Sequence, residues 1–368
     1  MKYFIIAGEA SGDLHGSGLV KQLFLQDKDA KIQAWGGDKM IKAGADVKKH
    51  IKDLAFMGFV EVISNLKTIL SNFKLCKSQI ESFKPDVLIL IDYPGFNLRI
   101  ANWAKKNNLK VVYYISPQVW AWKKSRVKKI KRDVDKMLVI LPFEEQFYAK
   151  YGMSVTFVGH PLVDAINDFR QNISGQVETA EKPILALLPG SREQEIKRIL
   201  PQMLEAVEEF YETHRIVIAA VSVLPKEIYN IASEKIEFVF DDAYSLLSKA
   251  ECALVTSGTA TLETALFKVP LVVCYKANLI SYFIAKKLVA RNIKYISLVN
   301  LIAGKMVCKE LIQNDLQKDK IVEELRKILP NQPHRNEMLA EFDELEKKLG
   351  TNGVANRVAN EIIDFLNK

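Results

Sequence analysis

The chain has 368 residues, 49% hydrophobic and 26% charged, with a net charge of +8. This composition excludes a disordered or fibrous polymer, and the length exceeds what one hydrophobic core ordinarily holds, so two domains are expected. All the excess positive charge lies in the first half: residues 1–165 carry 26 Lys and Arg against 16 Asp and Glu, the remainder 26 against 28. Such a half attracts an anionic lipid surface, a nucleic acid or a phosphorylated substrate.

In chain order, Met1-Lys2 leads straight into a strand, Tyr3–Ala7, which predicts a chain without a signal peptide. Gly8-Glu9-Ala10-Ser11-Gly12-Asp13 follows, then a helix from about Leu14. Its glycines let a ligand approach the backbone and the helix start favours an anion, but a plain strand–helix turn would use the same residues. The stripe Phe59, Val62, Ile63, Leu66, Ile69, Leu70, Phe73 is an amphipathic helix face, suited to core or to an acyl or membrane contact. The strand Val87–Ile91 runs into Asp92-Tyr93-Pro94-Gly95-Phe96-Asn97, placing a carboxylate at a strand end. There it serves as a general base or as a cap on the next helix, and the residues alone do not choose.

The strand Val111–Ile115 precedes Ser116-Pro117-Gln118-Val119-Trp120-Ala121-Trp122, and eight basic side chains follow out to Lys136. Two amphipathic rings beside a cationic cluster suit a substrate that is greasy at one end and phosphorylated at the other, but a solvated basic helix would use the same charges. Val127, Ile130, Val134 and Met137 keep helical spacing, so one face of this run is expected in the core. Further strands are expected at Met137–Leu141, Val155–Val158, Ile184–Leu188, Ile216–Ala220, Glu237–Phe240, Cys252–Val255 and Leu271–Tyr275. Apolar strands alternating with helices predict parallel sheets covered on both faces, here two doubly wound Rossmann-like α/β domains facing across a cleft. The boundaries read as 1–166, 167–345 and a C-terminal helical segment 346–368 that packs on an N-terminal domain, with the linker in 167–182.

In the second domain, Pro189-Gly190-Ser191-Arg192 opens a helix, and helix-start amides with a guanidinium make a diphosphate clamp. Thr256-Ser257-Gly258-Thr259-Ala260-Thr261-Leu262-Glu263 offers a second anion loop, with Glu263 placed to accept from a ribose diol. Asp241-Asp242 reads as a helix cap rather than a metal pair, and the five histidines lack metal-ligand spacing, so no metal is expected. Four cysteines without a CxxC pair predict reduced packing residues of a cytoplasmic protein. No apolar run reaches the roughly 18 residues of a spanning helix; the longest, 279–290, is broken by Lys286 and Lys287.

Together these loops resemble the lipid-A-disaccharide synthase family, glycosyltransferases of the GT-B type, over nearly the whole chain. The likeness rests on 7–13, 57–62, 84–87, 116–122, 141–144, 157–162, 187–192, 257–263, 300–304 and 310–313. It implies an inverting transfer that joins UDP-2,3-diacylglucosamine to 2,3-diacylglucosamine 1-phosphate as a β-1,6 disaccharide, releasing UDP, with no cofactor. It implies Asp92 as base, Glu9 and Ser11 near the reacting sugars, and Arg192, Ser257, Gly258, Thr259, Glu263, Asn300, Glu310 and Gln313 in UDP-binding segments. It further implies a peripheral protein on the cytoplasmic face of the inner membrane, contacting an anionic surface and no nucleic acid, and a homodimer that exchanges C-terminal segments. Two positions depart from the family's pattern: Gly95 stands where a second Asp is common, and Met306 where an acidic residue is common. A polyprenyl-linked sugar transferase or a UDP-N-acetylglucosamine 2-epimerase would share the nucleotide loops without the 7–13 and 116–122 motifs. A basic adaptor for nucleic acid or membrane would leave Asp92 and both anion loops unexplained.

Overall fold

The computed structural model describes residues 1–54, 66–122, 125–172, 182–278 and 294–368. Residues 57–62 of the resemblance, Phe59, Val62 and Ile63 of the amphipathic stripe, much of the 167–182 linker and the 279–290 run lie outside these. The chain divides into two compact units, 1–164 with 350–368, and 165–349.

The first unit is built on seven strands: β1 (Lys2–Ala7), β2 (Lys31–Gly36), β3 (Asp46–His50), β4 (Val87–Ile91), β5 (Lys110–Tyr114), β6 (Lys136–Val139) and β7 (Thr156–Phe157). They are all parallel, in the order β3-β2-β1-β4-β5-β6-β7. Side-chain alternation along β1, β4 and β5 sends Phe4, Ile6, Leu88, Leu90, Val111 and Tyr113 to one face. Tyr3, Ile5, Val87, Ile89, Val112 and Tyr114 go to the other. The helices Pro94–Lys106 and Arg126–Asp133 cover the first face with Ile100, Ala104, Val127 and Ile130. The helices Ala10–Gln26 and Val354–Leu366 cover the second with Leu19, Leu23, Val358 and Ile362. Val127, Ile130, Val134 and Met137 are all buried as expected, although the helix ends at Asp133 and Met137 belongs to β6.

The last helix returns to the first unit of its own chain. Asp164 accepts from the amides of Gly353, Val354 and Ala355 at 2.8, 3.1 and 3.0 Å, satisfying the helix start from 190 residues away in sequence. Arg357 Nε donates to the carbonyl of Val158 at 2.9 Å. The turn between the last two helices uses Gly350 and Gly353 at φ 92° and 89°. A Cβ on Gly350 would stand 3.3 Å from Gly159 Cα. The preceding helix, Pro333–Leu349, runs unbroken past residue 345 within the second unit.

The second unit holds β8 (Ile184–Leu188), β9 (Arg215–Ala220), β10 (Ile236–Phe240), β11 (Ala250–Thr256), β12 (Leu271–Tyr275) and β13 (Glu310–Ile312). These are parallel in the order β10-β9-β8-β11-β12-β13. Among the described residues, no helix is long and apolar enough to cross a membrane.

Candidate active site

At the carboxyl end of β1, Gly8 lies against the ring of Tyr93, and a Cβ there would stand 2.3 Å from Tyr93 Cγ. Glycine is required for that approach. Glu9 is the N-cap position of the helix Ala10–Gln26, and both Glu9 and Ser11 are exposed. Asp13, which closes the same motif, points elsewhere. It is buried and accepts from the amides of Gly37, Lys39 and Met40 at 2.7, 3.0 and 3.1 Å, capping the helix Asp38–Lys42. Half-way round the next turn, His15 is held neutral: burial, then the nearby Lys39, push its imidazole down to about 4.

At the end of β4, Asp92 and Tyr93 both take left-handed backbone, φ 43° and 47°. Such positions cost non-glycine residues about 1–3 kcal/mol each and gather where function over-determines the backbone. The helix Pro94–Lys106 starts after Tyr93 with no side-chain cap, so capping is not what Asp92 does. Its carboxyl is pushed up to about 6, first by burial and next by the carboxylate of Glu9, against a hydrogen bond from the Tyr93 N–H. Glu9 is thus the second carboxylate of this mouth. Gly95 is exposed and a Cβ there would meet nothing within 4 Å.

The tryptophan motif divides differently from the sequence expectation. Trp120 is only 9% exposed and packs edge-on against Phe143 with ring centroids 5.1 Å apart, so it is a packing residue and not a surface ring. The segment turns inward because Ser116 Oγ meets Tyr148 Oη at 2.7 Å beside the buried Glu144. Glu144 accepts from the Leu141 amide at 3.0 Å, and burial pushes its carboxyl up to about 7. Sequence reading held Ser116 and Glu144 only as parts of motifs and passed over Tyr148, because polar residues inside apolar stretches carry no pattern of their own. Lys128, Lys129, Lys131 and Arg132 are exposed, and Arg132 pairs with Asp133 at 2.6 Å.

In the second unit, Arg192 is the N-cap position of the helix Glu193–Val207, 62% exposed and 3.1 Å from Glu195. Gly258 occupies the N-cap of the helix Thr259–Leu266, with Gly258 and Thr259 exposed. Ser257 Oγ donates to the carbonyl of Ile296 at 2.9 Å. Glu263, its carboxyl raised by burial, accepts from Tyr244 Oη at 3.2 Å. Glu310 gathers the amides of Ile296 and Ser297, the Ser297 hydroxyl and the side-chain amide of Asn300, all within 3.1 Å. Asn300 is buried and also holds the backbone of Val307 and Cys308, while Gln313 holds both the amide and the carbonyl of Ala277. The structure therefore ties Ser257, Asn300 and Glu310 together through residues 296–297, and their polar atoms shape the loops. Asp242 caps the helix Ala243–Leu247 by accepting from the Ser245 amide at 3.2 Å. Among the described residues no group of three or more His, Cys, Asp or Glu stands where it would hold a metal ion.

Two parallel-sheet α/β units, each with helix-starting loops at the strand ends, define the GT-B class of fold. Solved structures of that build match the chain throughout. The kitacinnamycin glycotransferase has a TM-score of 0.71 at 14% identity, covering 99% of both chains. The UDP-GlcNAc 2-epimerase of Neisseria meningitidis bound to UDP-GlcNAc has a TM-score of 0.65 at 13% identity, covering 100% of both. At such identities the likeness is one of fold. The family model for lipid-A-disaccharide synthetase matches residues 3–361. Lipid-A-disaccharide synthase of Syntrophus aciditrophicus is 40% identical, over 99% of this chain and 97% of that protein. That of Geobacter sulfurreducens is 36% identical, over 100% and 98%. The chain belongs to the lipid-A-disaccharide synthetase family, and so is a hexosyltransferase of lipid A biosynthesis.

Proposed function

We propose that the enzyme joins UDP-2,3-diacylglucosamine to 2,3-diacylglucosamine 1-phosphate with inversion, forming a β-1,6 disaccharide and releasing UDP. The observation that carries this reading is Asp92: a carboxyl at a strand end, in strained backbone, with its proton affinity raised to about 6 beside Glu9. Asp92 takes the proton of the acceptor 6-hydroxyl as that oxygen attacks the anomeric carbon. The bond from that carbon to the diphosphate breaks, and UDP leaves with the electron pair. A base with a pKa near 6 is mostly ionised at neutral pH yet retains proton affinity. Arg192 and the amides at the Thr259 helix start stabilise the departing diphosphate, so the step needs neither metal nor cofactor. Glu263 accepts from the ribose, and the loop set by Asn300, Glu310 and Gln313 receives the uridine end.

Incubating purified protein with both sugar lipids in excess EDTA tests this directly: disaccharide and UDP should appear in equal amounts. An enzyme that instead isomerises UDP-N-acetylglucosamine and ignores both lipids would refute the assignment. We place it peripherally on the cytoplasmic face of the inner membrane, held by the exposed Lys128, Lys129 and Lys131. Wild type should sediment with anionic vesicles and leave them at high salt, and the triple serine variant should stay in the supernatant. Equal sedimentation of the two proteins would remove that surface from consideration.

A further inference from the structure

The backbone carbonyl of Asp92 is the point on which two fully buried side chains converge. Tyr113, on β5, donates its hydroxyl to this oxygen at 2.5 Å, and Asn97, in the first turn of the following helix, donates its amide at 2.8 Å. The same Asn97 nitrogen lies 3.2 Å from the carbonyl of Ile91, and the Asp92 amide donates to the carbonyl of Tyr114 at 3.1 Å. Both side chains are 0% exposed and so are sealed from any substrate. Two consecutive left-handed residues that both carry a Cβ are held against the ordinary right-handed preference, which aspartate resists only weakly and tyrosine not at all, and these donors hold them there.

We propose that Tyr113 and Asn97 are positioning residues that clamp the Asp92 carbonyl and so aim its carboxyl at the acceptor hydroxyl; this rests on the reading of Asp92 as the base. The residue types fit the task. Burial raises the Tyr113 phenol far above its ordinary value, so it stays a donor at every working pH. Phenylalanine would fill the same space in the sheet and leave the carbonyl one donor short. The strand places Tyr113 one residue before Tyr114, whose carbonyl receives the Asp92 amide, so both ends of the Asp92 peptide are held by β5.

Tyr113→Phe should lower kcat about tenfold to a hundredfold, the loss expected when a reacting group moves by about an ångström. KM for both substrates and UDP affinity by calorimetry should stay at wild-type values. The acid limb of the kcat profile should move to lower pH, as the carboxyl leaves its buried place beside Glu9. In an Asp92→Asn background the same substitution should change nothing further. Wild-type kcat and pH profile in Tyr113→Phe would overturn the proposal. An equal loss of kcat in both backgrounds would also overturn it, placing the effect of Tyr113 elsewhere while leaving Asp92 as base. Full activity in Asp92→Asn alone would bring down the base and the clamp together. Should Tyr113→Phe fail to bind UDP or to fold, Asn97→Ala removes the other donor and is judged by the same outcomes.

Discussion

At the mouth of the first sheet, the Asp92 carboxyl has a backbone donor in the Tyr93 N–H and a like charge in Glu9. In the second unit Glu310, the first residue of the edge strand β13, receives two backbone amides, a hydroxyl and a side-chain amide. The two carboxylates have opposite surroundings. A group that moves a proton has to be left short of partners, since each donor lowers its affinity for the proton. A group that shapes a binding loop has to be saturated, since its worth lies in the backbone it holds.

The largest effect that separates the two should come from Asp92→Asn. Turnover should fall by about 10²–10⁴, the usual contribution of a general base. In wild type, activity should rise with pH through about 6 and the residual activity of the variant should lack that limb. Stability should move the other way. A carboxyl raised from its ordinary 3.8 to about 6 favours the folded state most below pH 3.8 and loses that contribution as pH rises through 6. Above pH 6 the Asn variant should therefore be the more stable by up to about 3 kcal/mol. Identical melting of the two proteins at pH 8 would mean that the carboxyl is not raised.

Glu310→Ala makes the opposite case. Leaving its donors unpaired should cost about 3–5 kcal/mol of stability and abolish UDP binding, whereas the exposed Arg192→Ala should melt as wild type and weaken UDP by about 1.5–3 kcal/mol. Calorimetry showing undisturbed UDP affinity in Arg192→Ala would move the nucleotide away from the second sheet. The smallest effect is expected from Gly95→Asp. The position is open, and a carboxylate in the first turn of a helix gains about 0.3–1 kcal/mol. The variant should melt slightly higher and its acid limb should shift upward with the added negative charge; a lower melting temperature would reveal a constraint on Gly95.

The strands that form the middle of each sheet were legible because burial on both faces makes them continuous apolar runs, as in Val87–Ile91 and Ile184–Leu188. β2, β3 and β13 were not. Asp46–His50 is a polar edge strand, and Glu310–Ile312 is three residues long. Asp92 was legible as a polar residue at the end of such a run, but that it does not cap the next helix depended on where that helix starts. Tyr113, Asn97 and Glu144 were invisible as site residues, since a phenol within a strand or a carboxyl within a helix looks like ordinary filling. Trp120 misled for the converse reason: next to a cationic run its ring suggested a surface, and only Phe143 shows where it packs. Asp164 capping a helix 190 residues away has no local signature at all.

That cap also bears on the order of synthesis. Residues 165–349 are one uninterrupted stretch, whereas the first unit needs residues 350–368 to cover one face of its sheet. The ordinary vectorial sequence, in which the leading domain folds before the trailing one emerges, is therefore inverted here. The unit begun first is completed last. Until Val354–Leu366 leaves the ribosome, the face carrying Tyr3, Ile5 and Val112 lacks part of its cover, and the nascent chain is most exposed to aggregation in that interval.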